Sequence, residues 1–117
     1  MRLKSDFWVK AYLRQVAAQG AQGFVVRHGD DEAGAIFIKV RRRDGTSMLY
    51  GPAPAGMDVK DRERRWVGFL KGAAVSEMAV DDAIAQEARF DSDIWVLEIE
   101  NSDGAHYLDG WLLATPQ

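Results

Sequence analysis

The densest group of side chains that could do chemistry lies where the second predicted helix ends. Glu87 and Asp91 are four residues apart, Arg89 stands between them, and Trp95 lies in the following strand. Two neighbouring carboxylates can serve as general acid and general base when their surroundings separate their pKa values. With Tyr50 from another predicted strand, these residues could form the pocket of a small-molecule binder or hydrolase. The alternative is that Arg89 pairs with a neighbouring carboxylate and that Asp91 or Asp93 shapes the turn from helix to strand.

Three consecutive arginines, Arg41, Arg42 and Arg43, stand at the tip of a predicted hairpin. Guanidinium groups bind phosphate oxygens well, so this cluster could make a weak contact with a nucleic acid or another phosphate. The formal net charge of −3 argues against a dedicated nucleic-acid binder, which is usually basic. A solvated hairpin edge that discourages aggregation is the alternative. Nucleic acid is therefore not the expected partner.

Tryptophan is frequent in this chain, with four residues among 117. Trp66 and Trp111 lie beside charged or terminal segments, and an exposed tryptophan is typical of a protein-binding surface. Together with Arg41, Arg42 and Arg43, they form the predicted partner-contact set.

Several chemistries are excluded by residue types that the sequence lacks. No cysteine is present, which removes disulfides, thiolate metal sites and thiol nucleophiles. Histidine occurs only at positions 28 and 106, too few for a three-histidine metal site within one chain. Phosphate-binding loops, dinucleotide fingerprints, zinc-protease helices and serine-hydrolase elbows have no matching motif. We therefore predict no metal ion, cofactor or catalytic residue and favour a protein without enzymatic activity.

Helix and strand patterns show which elements must position these side chains. Apolar residues recur at helical spacing over residues 6–19 and 77–89, where Ser5 and Ser76 are the candidate N-caps. Short strands are predicted at residues 24–27, 35–40, 48–50, 66–70, 94–100 and 106–108.

Length and composition fit this set of elements. A chain of 117 residues suits one domain, and a hydrophobic fraction of 47% is enough for a core. We predict a single α+β domain over residues 1–117, with an antiparallel sheet of about five or six short strands and two helices on one face. The largely charged segment 55–65 is predicted to be a mobile loop. No apolar run approaches the roughly 20 residues of a membrane helix, so we expect a cytoplasmic protein that does not contact the membrane.

Two of the predicted hairpins repeat one another with opposite charge. Residues 36–45 can be aligned with residues 95–104, so that both turns end in Asp-Gly. The first hairpin, residues 36–51, carries Lys39, Arg41, Arg42 and Arg43 against Asp44, whereas the second, residues 95–110, carries Glu98, Glu100, Asp103 and Asp109. Opposite charges that face each other across strands stabilise a sheet by about 0.2–1 kcal/mol per pair. We predict that the two hairpins are neighbours in one antiparallel sheet, either within one chain or between two subunits.

The chain also resembles a family of short bacterial proteins, typical of alphaproteobacteria, that is catalogued as domain of unknown function 1491. The resemblance runs nearly end to end and is carried by four segments. These are RLKSDFWVKAY at residues 2–12, AGAIFIKV at 33–40, LYGPAP at 49–54 and EARFDSDIWVLEIE at 87–100. The resemblance implies a single domain. It assigns no activity, ligand or catalytic residue to this chain.

On these grounds we expect a non-enzymatic accessory or protein-interaction module. Its partner is expected to be an unidentified protein or a second copy of the chain, and a homodimer that uses hairpin edges is consistent with the charge pattern. The small-molecule pocket and the phosphate contact described above are the competing hypotheses.

Overall fold

The computed structural model describes residues 2–54 and 63–113, which form two α-helices and a six-stranded sheet. The helices are α1, Ser5–Ala18, and α2, Glu77–Phe90. The strands are β1 Gln22–Arg27, β2 Ile36–Arg41, β3 Thr46–Pro52, β4 Trp66–Gly68, β5 Val75–Ser76 and β6 Trp95–Glu100. A short 3-10 helix, Leu70–Gly72, lies between β4 and β5. Most of the loop predicted at residues 55–65 lies outside the described residues.

The sheet is mixed rather than antiparallel throughout, with its strands in the order β1-β6-β2-β3-β4 and β5 beside β3. The neighbours β2 and β6 run parallel, whereas the other strand pairs are antiparallel. The reason lies in the connection, because the chain leaves β2, forms β3 and β4, and crosses one face of the sheet as α2 before β6 begins. A crossover of this kind makes the strands that it joins parallel. The predicted α+β class and the number of strands are confirmed.

The alignment of residues 36–45 with residues 95–104 turns out to be the register of the parallel pair. Ile36 lies opposite Trp95, and the match continues to Arg41 opposite Glu100. The two segments are therefore neighbours within one chain, but they run parallel. Strands that run in the same direction keep a constant residue offset, so two similar segments can pair position by position.

The two helices pack on opposite faces of the sheet. The prediction that both helices lie on one face is therefore wrong. Ile36, Ile38 and Val40 of β2 join α1 in one core cluster, whereas Phe37 joins α2 in a second cluster. The physical reason is that β2 is buried on both sides, with Arg41 as its exposed residue. A central strand that is apolar on both sides needs a covering layer on each.

Helix α1 is amphipathic and packs its buried side against the sheet. Its buried apolar residues follow helical spacing and are Trp8, Val9, Tyr12 and Val16. Phe7, which the spacing placed on the apolar side, is 66% exposed. The helix ends where Gly20 adopts a φ of +86°, the left-handed conformation that glycine permits at a helix end.

Helix α2 covers the second face. Ser76 caps it as predicted, because its hydroxyl oxygen accepts a hydrogen bond from the backbone N–H of Ala79 at 3.1 Å. Val80 is fully buried, and Ala83 and Ile84 pack beside it. Neither α2 nor any other helix in the described ranges is long and apolar enough to cross a membrane.

The second predicted hairpin does not form. After β6, the side-chain oxygen of Asn101 accepts hydrogen bonds from the backbone N–H groups of Asp103 and Ala105, and no strand follows in residues 101–110. Leu108 is fully buried in the core on the α1 side instead of lying in a return strand. The reason is that both sides of β6 are already occupied, one by β1 and the other by β2.

Candidate functional site

The five residues of the predicted pocket do not come together. Tyr50 and Trp95 are buried in the core cluster on the α1 side of the sheet. Glu87 and Arg89 lie on α2, which covers the opposite face, and Asp91 stands at the end of that helix. The small-molecule pocket that their spacing suggested is therefore not assembled.

The two aromatic members of this set have partners in the core. The indole N–H of Trp95 donates a hydrogen bond to the backbone oxygen of Asp30 at 2.8 Å. The hydroxyl of Tyr50 lies 3.7 Å from the sulfur of Met48, and burial raises the pKa of this phenol. Both side chains therefore fill the interior of the fold.

The charged members of the set lie at the surface. Asp91 accepts a hydrogen bond from the backbone N–H of Asp93 at 2.9 Å and so shapes the turn from helix to strand, as the alternative hypothesis supposed. Arg89 is exposed and makes no ion pair with a described residue, and Glu87 is half-buried.

The arginine cluster lies where the parallel strands β2 and β6 end. Arg41, Arg42 and Arg43 border a cleft of about 320 Å³. The other lining residues of this cleft are Glu100, Asn101 and Ser102. Arg41 lies opposite Glu100 in the sheet, and its Nε is 3.7 Å from a carboxylate oxygen of Glu77. Carboxylates so close to the cluster weaken its attraction for a phosphate.

Both tryptophans of the predicted partner-contact set pack against the core. Trp66 is 2% exposed, and its indole N–H donates a hydrogen bond to the backbone oxygen of Ile36 at 2.9 Å. The ring of Trp8 lies 4.3 Å from that of Trp66 and 5.5 Å from that of Trp111, centroid to centroid. These contacts are at distances typical of stabilising aromatic pairs. The tryptophan content thus reflects internal packing at these positions.

A buried lysine that belonged to the predicted basic hairpin forms an ion-pair network beneath α2. Lys39 is 4% exposed. Its Nζ donates hydrogen bonds to Glu77 Oε1 and Asp81 Oδ1, both at 2.8 Å, and lies 3.5 Å from Glu98 Oε1. Two of these carboxylates come from α2 and one from β6, so the ammonium group ties the helix to the sheet.

The network keeps Lys39 protonated. Burial is the largest influence on its pKa and acts to lower it, but the hydrogen bonds to Asp81 and Glu77 and the charges of Asp81 and Glu98 raise the pKa above its ordinary value overall. The hydrogen bond from Lys39 in turn lowers the pKa of Glu77. A lysine that stays charged is a poor general base or nucleophile, so this cluster supports the fold rather than catalysis.

A second buried cation, Arg64, lies in the segment before β4. It is 6% exposed, and its Nη2 donates hydrogen bonds to the hydroxyl of Ser5 at 2.8 Å and to the backbone oxygen of Leu3 at 3.2 Å. Ser5 is itself buried and donates a hydrogen bond to the backbone oxygen of Gly34 at 2.7 Å. The N-cap of α1 is Lys4, without a side-chain hydrogen bond. Ser5 therefore orients Arg64. It does not cap the helix, although its place in the sequence predicted that it would.

The charge of Arg64 has no carboxylate partner within the described residues. Its Nε is buried without a hydrogen-bond partner. Burial, aided by the nearby charge of Arg2, lowers its pKa to about 10. The side chain borders a cavity of about 230 Å³. The other residues that line this cavity are Arg2, Leu3, Lys4, Glu32 and Ala33.

Strand β1 forms one end of the sheet order, so one row of its backbone groups has no strand partner among the described residues. Phe24, Val25 and Val26 are 43%, 40% and 56% exposed. A groove of about 380 Å³ adjoins Val26, between the sheet and α2. Its apolar lining residues also include Ile84, Ala85, Ala88 and Val96. Val26 therefore belongs both to the exposed edge strand and to the lining of this groove.

The sequence patterns did not reveal the ion pairs of Lys39, the burial of Arg64 or the edge position of β1, and the reason differs in each case. Lys39 stands between apolar residues within β2, whose other charge, Arg41, is exposed at the end of the strand, and this pattern does indicate a buried partner. Arg64 belongs to a run of charged residues in which no spacing distinguishes it. The edge position of β1 depends on the order of the strands, which local patterns do not reveal. Among the described residues, no three histidine, aspartate or glutamate side chains are grouped to hold a metal ion.

Comparisons with known proteins identify relatives of the same fold. A crystal structure of a DUF1491 family protein from Caulobacter crescentus is 37% identical, with a TM-score of 0.79 over 97% of this chain and 99% of that one. A solution structure of a protein from A. tumefaciens is 40% identical, with a TM-score of 0.80 over 100% and 99% of the two chains. An NMR structure of a DUF1491 family protein from Caulobacter crescentus is 39% identical, with a TM-score of 0.79 over 97% and 98%.

A comparison with curated protein sequences finds no significant match. The family model described as a protein of unknown function, DUF1491, matches residues 3–109. This match spans most of the chain and agrees with the structural relatives from alphaproteobacteria. The chain therefore belongs to the DUF1491 family of proteins of unknown function.

Proposed function

We propose that the protein is a non-enzymatic interaction module that forms a homodimer through the exposed edge of β1. The observation that carries this proposal is the run of three exposed apolar residues, Phe24, Val25 and Val26, on a strand that ends the sheet order. Association of two sheet edges satisfies backbone hydrogen-bonding groups and buries apolar side chains in the same step.

The β1 edge has little of the protection that edge strands usually carry. Natural proteins shield such edges with charges, prolines or bulges. Residues 22–26 contain no charge and no proline. A register shift between Val25 and Arg27 distorts the end of the strand and leaves the first four residues regularly paired with β6. The edge is therefore suited to a further strand.

A second copy of the chain is the partner that the composition of β1 favours. Two copies of one strand pair antiparallel about a two-fold axis, so each residue contact occurs twice. The single charge of β1 is Arg27 at its end. With the axis near Val25, each Arg27 lies opposite the small Gly23 of the other copy, and the two positive charges stand at opposite ends of the ribbon. Like charges therefore do not oppose self-association.

The absence of an assembled pocket among the predicted site residues supports the non-enzymatic part of the proposal. Tyr50 and Trp95 are core residues on one side of the sheet, whereas Glu87 and Arg89 belong to the helix on the other. Lys39 is held in its charged form by three carboxylates. A cytoplasmic location belongs to the same proposal, and cell fractionation tests it.

Light scattering coupled to size-exclusion chromatography tests the dimer. The wild-type protein is expected to reach twice the chain mass of 13.1 kDa at high micromolar concentration. Val26→Lys places a charge on the β1 surface and is expected to shift the protein to a monomer. Met78→Lys is the matched control, because Met78 is 73% exposed on α2, and it should leave the dimer unchanged.

Two results would contradict the homodimer. One is a wild-type mass of a single chain at every concentration reached. The other is a dimer that Val26→Lys weakens no more than Met78→Lys does. A monomer that binds an extended peptide at β1 would also overturn self-association.

A further inference from the structure

We infer that the cavity beside Arg64 is a binding site for the oxyanion of a small ligand, namely a carboxylate or a phosphate group. The site lies between the segment that precedes α1, the loop at Glu32 and Ala33, and the residues that lead into β4. It contains no residue of β1, so it is separate from the proposed dimer surface.

Arg64 is a buried charge that has no partner of opposite sign in residues 2–54 and 63–113. Arg64 is 6% exposed, and no carboxylate among the described residues forms an ion pair with it. An ionised group withdrawn from water without a partner of opposite charge is unfavourable, and breaking a buried pair leaves such a group at a cost of several kcal/mol. A ligand that supplies the missing negative charge removes this cost.

Two nitrogen donors of Arg64 have no hydrogen-bond acceptor among the described residues. Its Nη2 is occupied by Ser5 and Leu3. Its Nε is buried without a partner, and its Nη1 makes no hydrogen bond to a described residue. A guanidinium presents its donors in a planar fork that matches the oxygens of a carboxylate or phosphate. Ser5 fixes the orientation of the guanidinium plane. Nη1 is the donor that this orientation leaves for the ligand.

Positive charge is in excess among the described residues that line the cavity. Arg2 and Lys4 line it together with Arg64, and the acidic lining residue, Glu32, has a carboxylate oxygen 3.8 Å from Lys4. The described lining therefore carries two positive charges more than negative ones. This differs from the cleft at Arg41, Arg42 and Arg43, where carboxylates of the sheet and of α2 stand beside the arginines.

The size of the site limits the ligand. A second cavity of about 90 Å³ shares Arg2, Ala33 and Arg64 with the first. Its further lining includes the apolar side chains of Ile36, Pro52 and Trp66. A small ligand with an oxyanion at Arg64 and a short apolar part fits both cavities.

Nuclear magnetic resonance titration of the full chain tests the site. Inorganic phosphate and acetate are added separately at an ionic strength held constant with sodium chloride. We expect saturable shifts of the backbone amides of Ser5 and Gly34 and of the side-chain Nε–H of Arg64. Arg2→Gln is expected to weaken the apparent affinity about tenfold, which corresponds to the loss of one charge-assisted hydrogen bond. Arg14→Gln removes the same charge from an exposed position on α1 and should leave the affinity unchanged.

Each outcome decides a part of the inference. Saturation by phosphate alone identifies a phosphate-bearing ligand, and saturation by acetate alone identifies a carboxylate. Arg64→Gln should abolish the response, and Arg2→Gln carries the test if that variant does not fold. Shifts that sodium chloride reproduces, or an affinity that Arg2→Gln leaves unchanged, would overturn the site. A monomeric protein that still binds the anion would refute the proposed dimer and leave this inference intact.

Discussion

Lys39 and Arg64 are both buried cations, but their hydrogen-bond partners differ in charge. The ammonium group of Lys39 meets carboxylates from two elements. Among the residues that the structure describes, the guanidinium of Arg64 meets a hydroxyl and a backbone oxygen but no carboxylate. A fully satisfied buried charge stabilises one arrangement of the chain, whereas an unpaired one is suited to bind a partner of opposite charge. Burial alone therefore does not distinguish a structural cation from a binding one.

Replacing Lys39 tests its structural role. Lys39→Met removes the ammonium group that lies between Glu77, Asp81 and Glu98, and breaking this partly buried network is expected to lower the free energy of unfolding by about 3 kcal/mol. Urea denaturation measures this loss. Lys10→Met is the control, because Lys10 is exposed on α1 and its removal should change little. Equal effects of the two substitutions would show that the network does not stabilise the fold.

The same network makes stability depend on pH. Because the hydrogen bond from Lys39 lowers the pKa of Glu77 in the folded state, this carboxylate stabilises the fold above its ordinary pKa of 4.5. That contribution is lost as the pH falls through the lowered pKa. The raised pKa of Lys39 acts at the other end, with stabilisation that is complete below 10.5 and lost as the pH rises through the folded value.

Urea denaturation of Glu77→Gln as a function of pH checks the acidic limb. The difference in unfolding free energy between wild type and Glu77→Gln should be constant near neutral pH and shrink as the pH falls below 4.5. A Glu77→Gln difference that stays constant down to the lowest pH would contradict the ion pair.

At the scale of elements, two serines in the same sequence context have different roles. Both Ser5 and Ser76 precede an amphipathic helix, and local preference favours each as an N-cap. Ser76 does cap α2, whereas Ser5 is the first residue of α1 and is buried against Arg64 and Gly34. Tertiary contacts thus override the local preference at one helix and agree with it at the other.

Alanine substitution separates the two roles. Ser76→Ala removes a cap at the surface and is expected to lower the free energy of unfolding by about 1 kcal/mol. Ser5→Ala leaves donors of Arg64 and the oxygen of Gly34 buried without a partner, so a larger loss of about 2 kcal/mol is expected. Ser92→Ala, at an exposed position, is the control. Thermal or urea denaturation contradicts this assignment if Ser76→Ala costs more than Ser5→Ala.

Periodicity predicted the two helices and most of the strands well, because both kinds of element bury one or both of their faces in regular steps. Trp95, Leu97 and Ile99 share a face as their spacing indicated. Local patterns did not show the direction in which β6 runs beside β2, since an opposite-charge match such as Lys39 with Glu98 fits either direction. The same limitation explains why a second hairpin was predicted that does not form. A turn signal at Asn101 does not reveal that β1 already occupies the free side of β6.

The candidate sites were less predictable than the elements. The group at Glu87, Arg89 and Asp91 looked dense because its residues are close in sequence, yet its aromatic partners lie on the other face of the sheet. Ser5 and Arg64 are 59 residues apart and meet only in the folded chain. Chemistry that depends on long-range contacts leaves no local spacing for a sequence pattern to reveal.

For the whole molecule, the sheet order implies a gradient of local stability. The parallel strands β2 and β6 have neighbours on both sides and are covered by core clusters on both faces. Strand β1 has one neighbour among the described residues, and its apolar side chains are largely exposed. Regions with fewer buried contacts open at lower free energy than the core does. The surface proposed for assembly is thus also the part of the sheet that gains most from a partner.

Hydrogen exchange at two protein concentrations tests this connection between stability and assembly. The amides of β2 and β6 are expected to exchange slowest at both concentrations, because their opening approaches global unfolding. The outward-facing amides of β1 should exchange fast in dilute protein and become protected at high micromolar concentration, since a second β1 strand would accept their hydrogen bonds. The amides of α2 serve as the internal control and should not respond to concentration. Protection of β1 that does not change with concentration, or that persists in Val26→Lys, would mean that the edge is shielded within one chain and is not the site of assembly.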